Sequence, residues 1–257
     1  LESRGLRVWE SDLGELIVQL AGEKPYYIVT PCMHKSKAEV SDLFHEKLGT
    51  PRTENAEDLA MAARHHLREA YLSSEIGISG ANFLIADIGA VHLLENEGNG
   101  RLSVSCPPVH VVLSGIEKVL PRLADLELFL PLLATSGTGQ QLTVYNSLIR
   151  GPRQPGEQDG PKEMYVILLD NGRTRLFADP DFRKALRCIR CGACLNACPV
   201  YKSVGGHAYH TAYPGPIGAV ITPHLRGLKE WNHLSYASSL CGACTEVCPV
   251  NIPLHHL

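Results

Sequence analysis

The sequence predicts an α/β layer domain over residues 1–178 and a small cysteine-rich domain over residues 179–257. Two observations carry that division. In the first two-thirds, short apolar runs alternate with amphipathic segments, the pattern of strands separated by helices around a largely parallel sheet. Beyond Phe177 the β-branched runs fade, and seven of the nine cysteines fall between Cys188 and Cys248.

In chain order, the strand candidates are residues 26–29 (YYIV), 83–86, 91–94, 109–113, 142–145 and 164–169, short apolar or β-branched runs. A helix starts after Ser36, where Glu39 completes a capping-box pattern, and another after Asn55, with Asp58 in the same place. The second reads AEDLAMAARHHLREAYL, rich in strong helix formers, and its His65 and His66 read as a helix-face pair. A third helical stretch follows Gly115 as IEKVLPRLADLELFLPLL, interrupted by Pro121 and Pro131. Residues 151–161 are a polar, Gly/Pro-rich loop, and 170–175 a turn. Residues 205–223 read as a long irregular segment between the two cysteine runs.

Cys188, Cys191, Cys194 and Cys198 form C-x2-C-x2-C-x3-C followed by Pro199. Thiolates on one tight turn can hold three irons of a cubane while the fourth cysteine serves a different cluster. By that rule Cys188, Cys191 and Cys194 take Cys248 as their fourth ligand, and Cys198 joins Cys241 and Cys244 at the other cluster. The second set is one thiolate short, because Ser238 stands at the position of its fourth cysteine. Three thiolates suit a [3Fe-4S] cluster, or a [4Fe-4S] cluster whose last iron takes a non-cysteine ligand. Ser238, Ser239, His207, His210 and His233 are the local candidates, each equally readable as an ordinary polar residue. A zinc ribbon is the rival for the whole set, but seven cysteines and two Cys-Pro endings fit a single tetrahedral site poorly. Arg187 and Arg190 flank the first run, where positive charge favours a reduced cluster; solvated helix-face residues would look the same. Cys32 and Cys106 lie far upstream and read as small buried hydrophobes.

A formal charge of -3 and a pI near 6.5 give no basic field, so nothing in the composition favours nucleic acid or a membrane surface. No run approaches the ~18 apolar residues of a membrane span, and no secretory leader is visible, which points to a cytoplasmic protein. The first residue, Leu1, and the last segment, NIPLHHL, read as the edges of a fragment with material missing on both sides. In the α/β half, Asp87, Glu95, Glu97, Asn99, Arg101 and His110 are polar groups able to line a ligand pocket around EGNGR. Arg101 would pair with a carboxylate there, with Gly98 and Gly100 admitting the anion; a glycine-rich hairpin turn is the alternative. SGTGQQ at 136–141 lacks the Gly-Lys-Ser/Thr of a P-loop, and no G-x-G-x-x-G follows a strand.

The stretch from Gly77, GISGANFLIADIGAVHLLENEGNGRLSVSCPPVHVVLSGIEKVLPRL, resembles the lactate-utilisation protein B family. So do TSGTGQQLTVYNSLIRGPR, CIRCGACLNACPVY and YASSLCGACTEVCPVNIPLH. The resemblance implies a LUD domain similar in fold to ribose-5-phosphate isomerase and CoA-transferase domains, followed by a mainly α-helical ferredoxin-like domain with two clusters. It implies a non-catalytic electron-transfer subunit of a complex oxidising L-lactate to pyruvate. The implied partners are a CCG-type cysteine-rich subunit and a second LUD-domain subunit. In that family the second cysteine run is similarly short by one. A subunit of a glycolate-oxidising complex, and a LUD domain that itself binds an acid or acyl substrate, are the alternatives.

Overall fold

The computed structural model describes residues 1–25 and 30–257. The strand expected at 26–29 therefore lies outside the described residues. Three helices come first, α1 (Leu13–Ala21), α2 (Lys37–Leu48) and α3 (Ala56–Ser73). The Ser36 capping box forms as expected, its hydroxyl accepting from the Glu39 N–H while the Glu39 carboxylate accepts from the Ser36 N–H. Such a cap contributes about 1 kcal/mol. At α3 the Asn55 side chain accepts from the Glu57 N–H, and Asp58 instead receives the Thr53 hydroxyl, so no box closes there. Leu16, Phe44, Leu59 and Leu67 interlock the three helices in one core. His65 and His66 lie exposed on α3.

The strands follow as β1 (Ile76–Ser79), β2 (Phe83–Ile85), β3 (Ala90–Glu95), β4 (Val109–Gly115), β5 (Val119–Leu120), β6 (Tyr145–Ile149) and β7 (Glu163–Leu169). They form two sheets, not the single largely parallel one expected. One is fully parallel in the order β1-β4-β7; the other runs β5-β2-β3-β6, with only β5 parallel to its neighbour. The split arises because the β2–β3 turn is too short for a crossover and forces an antiparallel hairpin. Residues 142–144 stay outside the sheet, and β6 begins at Tyr145. Helix α4 (Asn99–Ser105) joins β3 to β4, and α5 (Leu126–Thr138) precedes β6.

The third expected helix is shorter than its sequence pattern. Val119 and Leu120 pair with Leu84 and Ile85, which holds that stretch extended, and the helix starts only at Leu126 beyond Pro121. Pro131 is carried inside it. The central β2–β3 hairpin of the second sheet is covered on both faces. Leu84 and Val91 meet Val112 of the parallel sheet on one side, and Phe83 and Ile85 meet Leu126, Phe129 and Leu133 of α5 on the other. Ile189, from the cysteine-rich part, packs into that second core.

After β7 the chain forms α6 (Arg173–Ala178), α7 (Ala193–Ala197), α8 (Pro199–Val204), α9 (Gly215–Arg226), α10 (Leu228–Trp231) and α11 (Ala243–Glu246), with 3-10 turns between. The segment read as irregular holds α9. Pro216 sits in its first turn, where a missing N–H costs nothing, and Ile217, Val220 and Ile221 bury one face. They pack with Leu176, Leu195, Tyr209, Leu234 and Ile252 around the cysteines.

Candidate metal centre

The two cysteine runs fold as two copies of one turn. CIRCGAC at 188–194 and SSLCGAC at 238–244 align residue for residue. Arg190 and Leu240 both take left-handed φ, 64° and 54°, and Gly192 and Gly242 both lie at 83°. Such consecutive turns point backbone N–H groups into a concavity suited to anionic sulfur. Each turn then enters a short helix, α7 or α11.

Two cavities open inside these turns. One, of about 30 Å³, is lined by Cys188, Cys191, Cys194 and Cys248. The other, of about 170 Å³, is lined by Cys198, Cys241 and Cys244 together with Ser238, Ser239 and His255. Cys188, Cys191, Cys194 and Cys248 thus face one cavity, and Cys198, Cys241 and Cys244 the other.

These residues suit an iron–sulfur group. The Cys198 sulfur accepts the Tyr201 N–H and the Cys248 sulfur the Ile252 N–H, each at 3.4 Å. Backbone N–H groups of Ala193, Ile217 and Ala243 approach Cys191, Cys194 and Cys241. Bonds of this kind stabilise negative charge on cluster sulfurs. Burial pushes the Cys191, Cys194 and Cys244 thiols up, Cys194 to about 12, so these groups ionise readily only against a metal's positive charge. Cys241 is held low by the Ala243 N–H and the Ser239 hydroxyl.

Arg190 is no solvated helix-face residue. Its guanidinium lies 4.9 Å from the Tyr213 ring centroid, interacts with Cys188, and bonds the Glu117 carboxylate at 3.3 Å. Glu117 also holds Arg173 at 2.6 Å, and Lys118 beside it donates to the Ala81 carbonyl at 2.6 Å. Burial followed by the nearby Arg190 charge pulls the Lys118 amine down. At Gly137 of α5 an added Cβ would stand 3.1 Å from the Cys191 carbonyl. The first cysteine turn is therefore seated against the α/β layer.

Most of the polar residues expected around EGNGR have separate partners of their own. Glu95 accepts the N–H groups of Gly100 and Arg101 at 2.6 and 2.7 Å and so caps α4, a helix that replaces the expected hairpin turn. Glu97 accepts the Leu13 N–H at the start of α1 at 3.1 Å, and burial pushes its carboxyl up. Asn99 is the first residue of α4, while the Arg101 guanidinium lies over the Tyr145 ring. Asp87 accepts from the Leu123 N–H, and His110 is fully buried against the Ser79 hydroxyl at 2.8 Å. Cys32 is half-buried and packs against the core of the three first helices, near what was expected, whereas Cys106 is exposed and is not the buried hydrophobe expected. Residues 136–138 close α5, with Gly139 as its left-handed cap.

Of the candidate non-cysteine ligands, Ser238 and Ser239 line the larger cavity, whereas His207, His210 and His233 do not. His207 packs edge-on against His34, whose Nε2 meets Glu23 at 2.6 Å. That carboxylate is already shared with Lys35 at 2.6 Å. His233 Nδ1 bonds the Glu230 carbonyl. His255, seven residues after the last cysteine, also lines the larger cavity, and that proximity in sequence is the signal it carries.

Comparison with known families matches a LUD domain over residues 2–169 and a 4Fe-4S dicluster domain over residues 184–252. The chain is similar to proteins named "Lactate utilization protein B" from Bacillus velezensis, 48% identical over 258 residues, and Bacillus subtilis, 47% identical over 258 residues. It is also 46% identical over 257 residues to "Uncharacterized electron transport protein YkgF" of Escherichia coli. Each match covers 100% of this chain and 54% of the relative, so the chain spans about half the length of the curated relatives it matches. No solved structure matches.

Proposed function

Because the chain belongs to the LUD domain family and carries a 4Fe-4S dicluster domain behind it, we propose that it is the electron-transfer subunit of a cytoplasmic complex oxidising L-lactate to pyruvate. The observation that carries this reading is the pair of cysteine-lined cavities beside each other in one small core. Cys188, Cys191, Cys194 and Cys248 would hold one [4Fe-4S] cluster, and Cys198, Cys241 and Cys244 the second. Bound clusters would supply one-electron carriers for the two electrons that leave lactate. The names of the similar proteins support a role in lactate utilization. The partners proposed with it are a CCG-type cysteine-rich subunit and a second LUD-domain subunit. On this reading the α/β half has an isomerase- or CoA-transferase-like fold, and the cysteine-rich half a ferredoxin-like one. Among the residues once open to a substrate-binding role, Glu95 and Glu97 are engaged at helix starts, which favours an electron-transfer and docking role for this chain.

The test is anaerobic purification with iron and sulfide counted on the sample used for EPR. The expected result is about eight irons per chain, as two cubanes demand. Cys191→Ala and Cys248→Ala should erase one reduced signal, and Cys198→Ala and Cys241→Ala the other. In the complex purified from cells, L-lactate should bleach the cluster absorbance. Bleaching by glycolate alone would move the substrate assignment, and an iron-free protein would end the cluster reading.

A further inference from the structure

We propose that His255 Nε2 is the fourth protein ligand of the cluster held by Cys198, Cys241 and Cys244. The proposal rests on the two-cluster reading above and names the donor that completes its second site. The smaller cavity presents four thiols, a full set for a cubane. The larger presents three, and among the described residues lining it His255 offers the one side-chain nitrogen.

The ring is oriented as a metal-bound imidazole is. His255 Nδ1 lies 2.7 Å from the Thr245 Oγ1, which also accepts the His255 backbone N–H at 3.2 Å. The Thr245 hydroxyl in turn bonds Cys244. A hydroxyl has one proton to give and two lone pairs to receive with. If the proton goes to the Cys244 sulfur, both lone pairs meet His255 N–H groups. The ring is then the Nδ1–H tautomer, with the Nε2 lone pair available. A hydrogen bond at the remote ring nitrogen that fixes the tautomer is the usual support of a ligating histidine. The Cε1–Nε2 edge stands over the cysteine turn itself, 3.7 and 3.8 Å from where a Cβ on Gly242 would lie. Gly242 sits between Cys241 and Cys244.

Ser238 is the rival, since it occupies the place that Cys188 takes in the first turn. A hydroxyl must lose its proton to become a strong ligand, and in the first turn that place has the Arg190 guanidinium interacting with it. In the second turn the corresponding residue is Leu240, which brings no charge, and its N–H donates to the Ser238 oxygen at 3.2 Å. Neutral imidazole ligates without that help. Replacing thiolate by imidazole raises a cluster's potential, so the second cluster should be the more easily reduced.

The deciding experiment is pulsed EPR on the dithionite-reduced protein, with and without ¹⁵N-histidine labelling. Expected is a strongly coupled histidine nitrogen on one of two clusters. It should be lost in His255→Gln, where a three-iron signal appears on oxidation, and unchanged in Ser238→Ala. His255→Cys should keep both four-iron clusters, lose the coupling and lower one potential, which separates loss of a ligand from loss of the fold. A three-iron signal in Ser238→Ala with unchanged coupling in His255→Gln would overturn the assignment. So would two intact clusters in the wild type with no strong nitrogen coupling. No cluster at all would overturn the functional reading and this assignment together.

Discussion

Removing the charge of Glu117 should destabilise the protein and raise the potential of the first cluster. Its side chain is 6% exposed and bridges Arg173, 9% exposed, and Arg190, 12% exposed. At an effective dielectric near 20, unit charges ~4 Å apart attract by about 4 kcal/mol. Glu117→Gln leaves two buried guanidiniums facing one neutral amide. Breaking a buried pair from one side costs about 3–5 kcal/mol, and two contacts place this variant at the upper end. For a chain of this size each kcal/mol moves Tm by ~2–4 °C, so anaerobic thermal melts should fall by roughly 10–20 °C. The redox sign follows from charge. With Glu117 neutral, Arg190 acts on the cluster beside Cys188 without its counter-ion, and the reduced state gains. Gly115→Ala should act in the same direction on stability, because its Cβ would stand 2.1 Å from the Glu117 Oε2 and 2.6 Å from the Arg173 Nε. Adding Arg173→Met to Glu117→Gln should recover part of the loss. A Tm change below about 3 °C in Glu117→Gln, with an unmoved potential, would refute the account of a buried bridge tuning the cluster.

Glu15 gives a pH dependence with a definite sign. Burial, and then its hydrogen bond with Asp12, raise its carboxyl from 4.5 to about 8. The folded state therefore holds a proton that the unfolded chain releases. Stability is full below about pH 4.5 and is lost as pH rises towards 8. The nominal cost at pH 7 is about 3 kcal/mol; discounted for partial exposure, Glu15→Gln should stabilise by about 1–2 kcal/mol there and flatten the slope in urea melts. An unchanged slope would show that the carboxyl titrates normally. Gly77→Ala would place a Cβ 1.8 Å from the Ser103 carbonyl oxygen, forcing α4 off β1, whereas Gly80→Ala meets nothing closer than 4.0 Å. The first should lose at least 1–3 kcal/mol and the second little; equal melting points would refute the close contact.

The cluster cysteines were legible because ligand spacing is a local property: three residues on a tight turn decide it. His255 was not, because its ring is aimed by Thr245, a contact across ten residues and a turn. Helix α1 could have been read, since Asp12 and Glu15 stand three apart before LIVQL and Asp12 does accept the Gly14 N–H. Helix α4 was hidden by the glycines of EGNGR; what starts it is the Glu95 carboxylate reaching forward onto two N–H groups. Helix α9 was masked by Pro and Gly composition, although a proline in a first turn is a start signal. The pairing of Val119 and Leu120 with β2, which holds them extended at the edge of the second sheet, is a contact that no local pattern encodes.

The two cysteine turns share a backbone but sit in different surroundings, and that difference carries the functional argument. The first is tied to the α/β layer by Ile189 in the α5 core, by the contact of Gly137 with Cys191, and by the Arg190–Glu117–Arg173 bridge. The second is lined by residues of the helical part alone, and its distinguishing groups are Leu240 in place of arginine and His255 over Gly242. A guanidinium beside one cluster and an imidazole on the other would set two potentials by separate means. Glu117→Gln should therefore shift the first potential and leave the second in place, while His255→Cys should do the reverse. Common movement of both potentials in either variant would mean that the two sites are tuned as one.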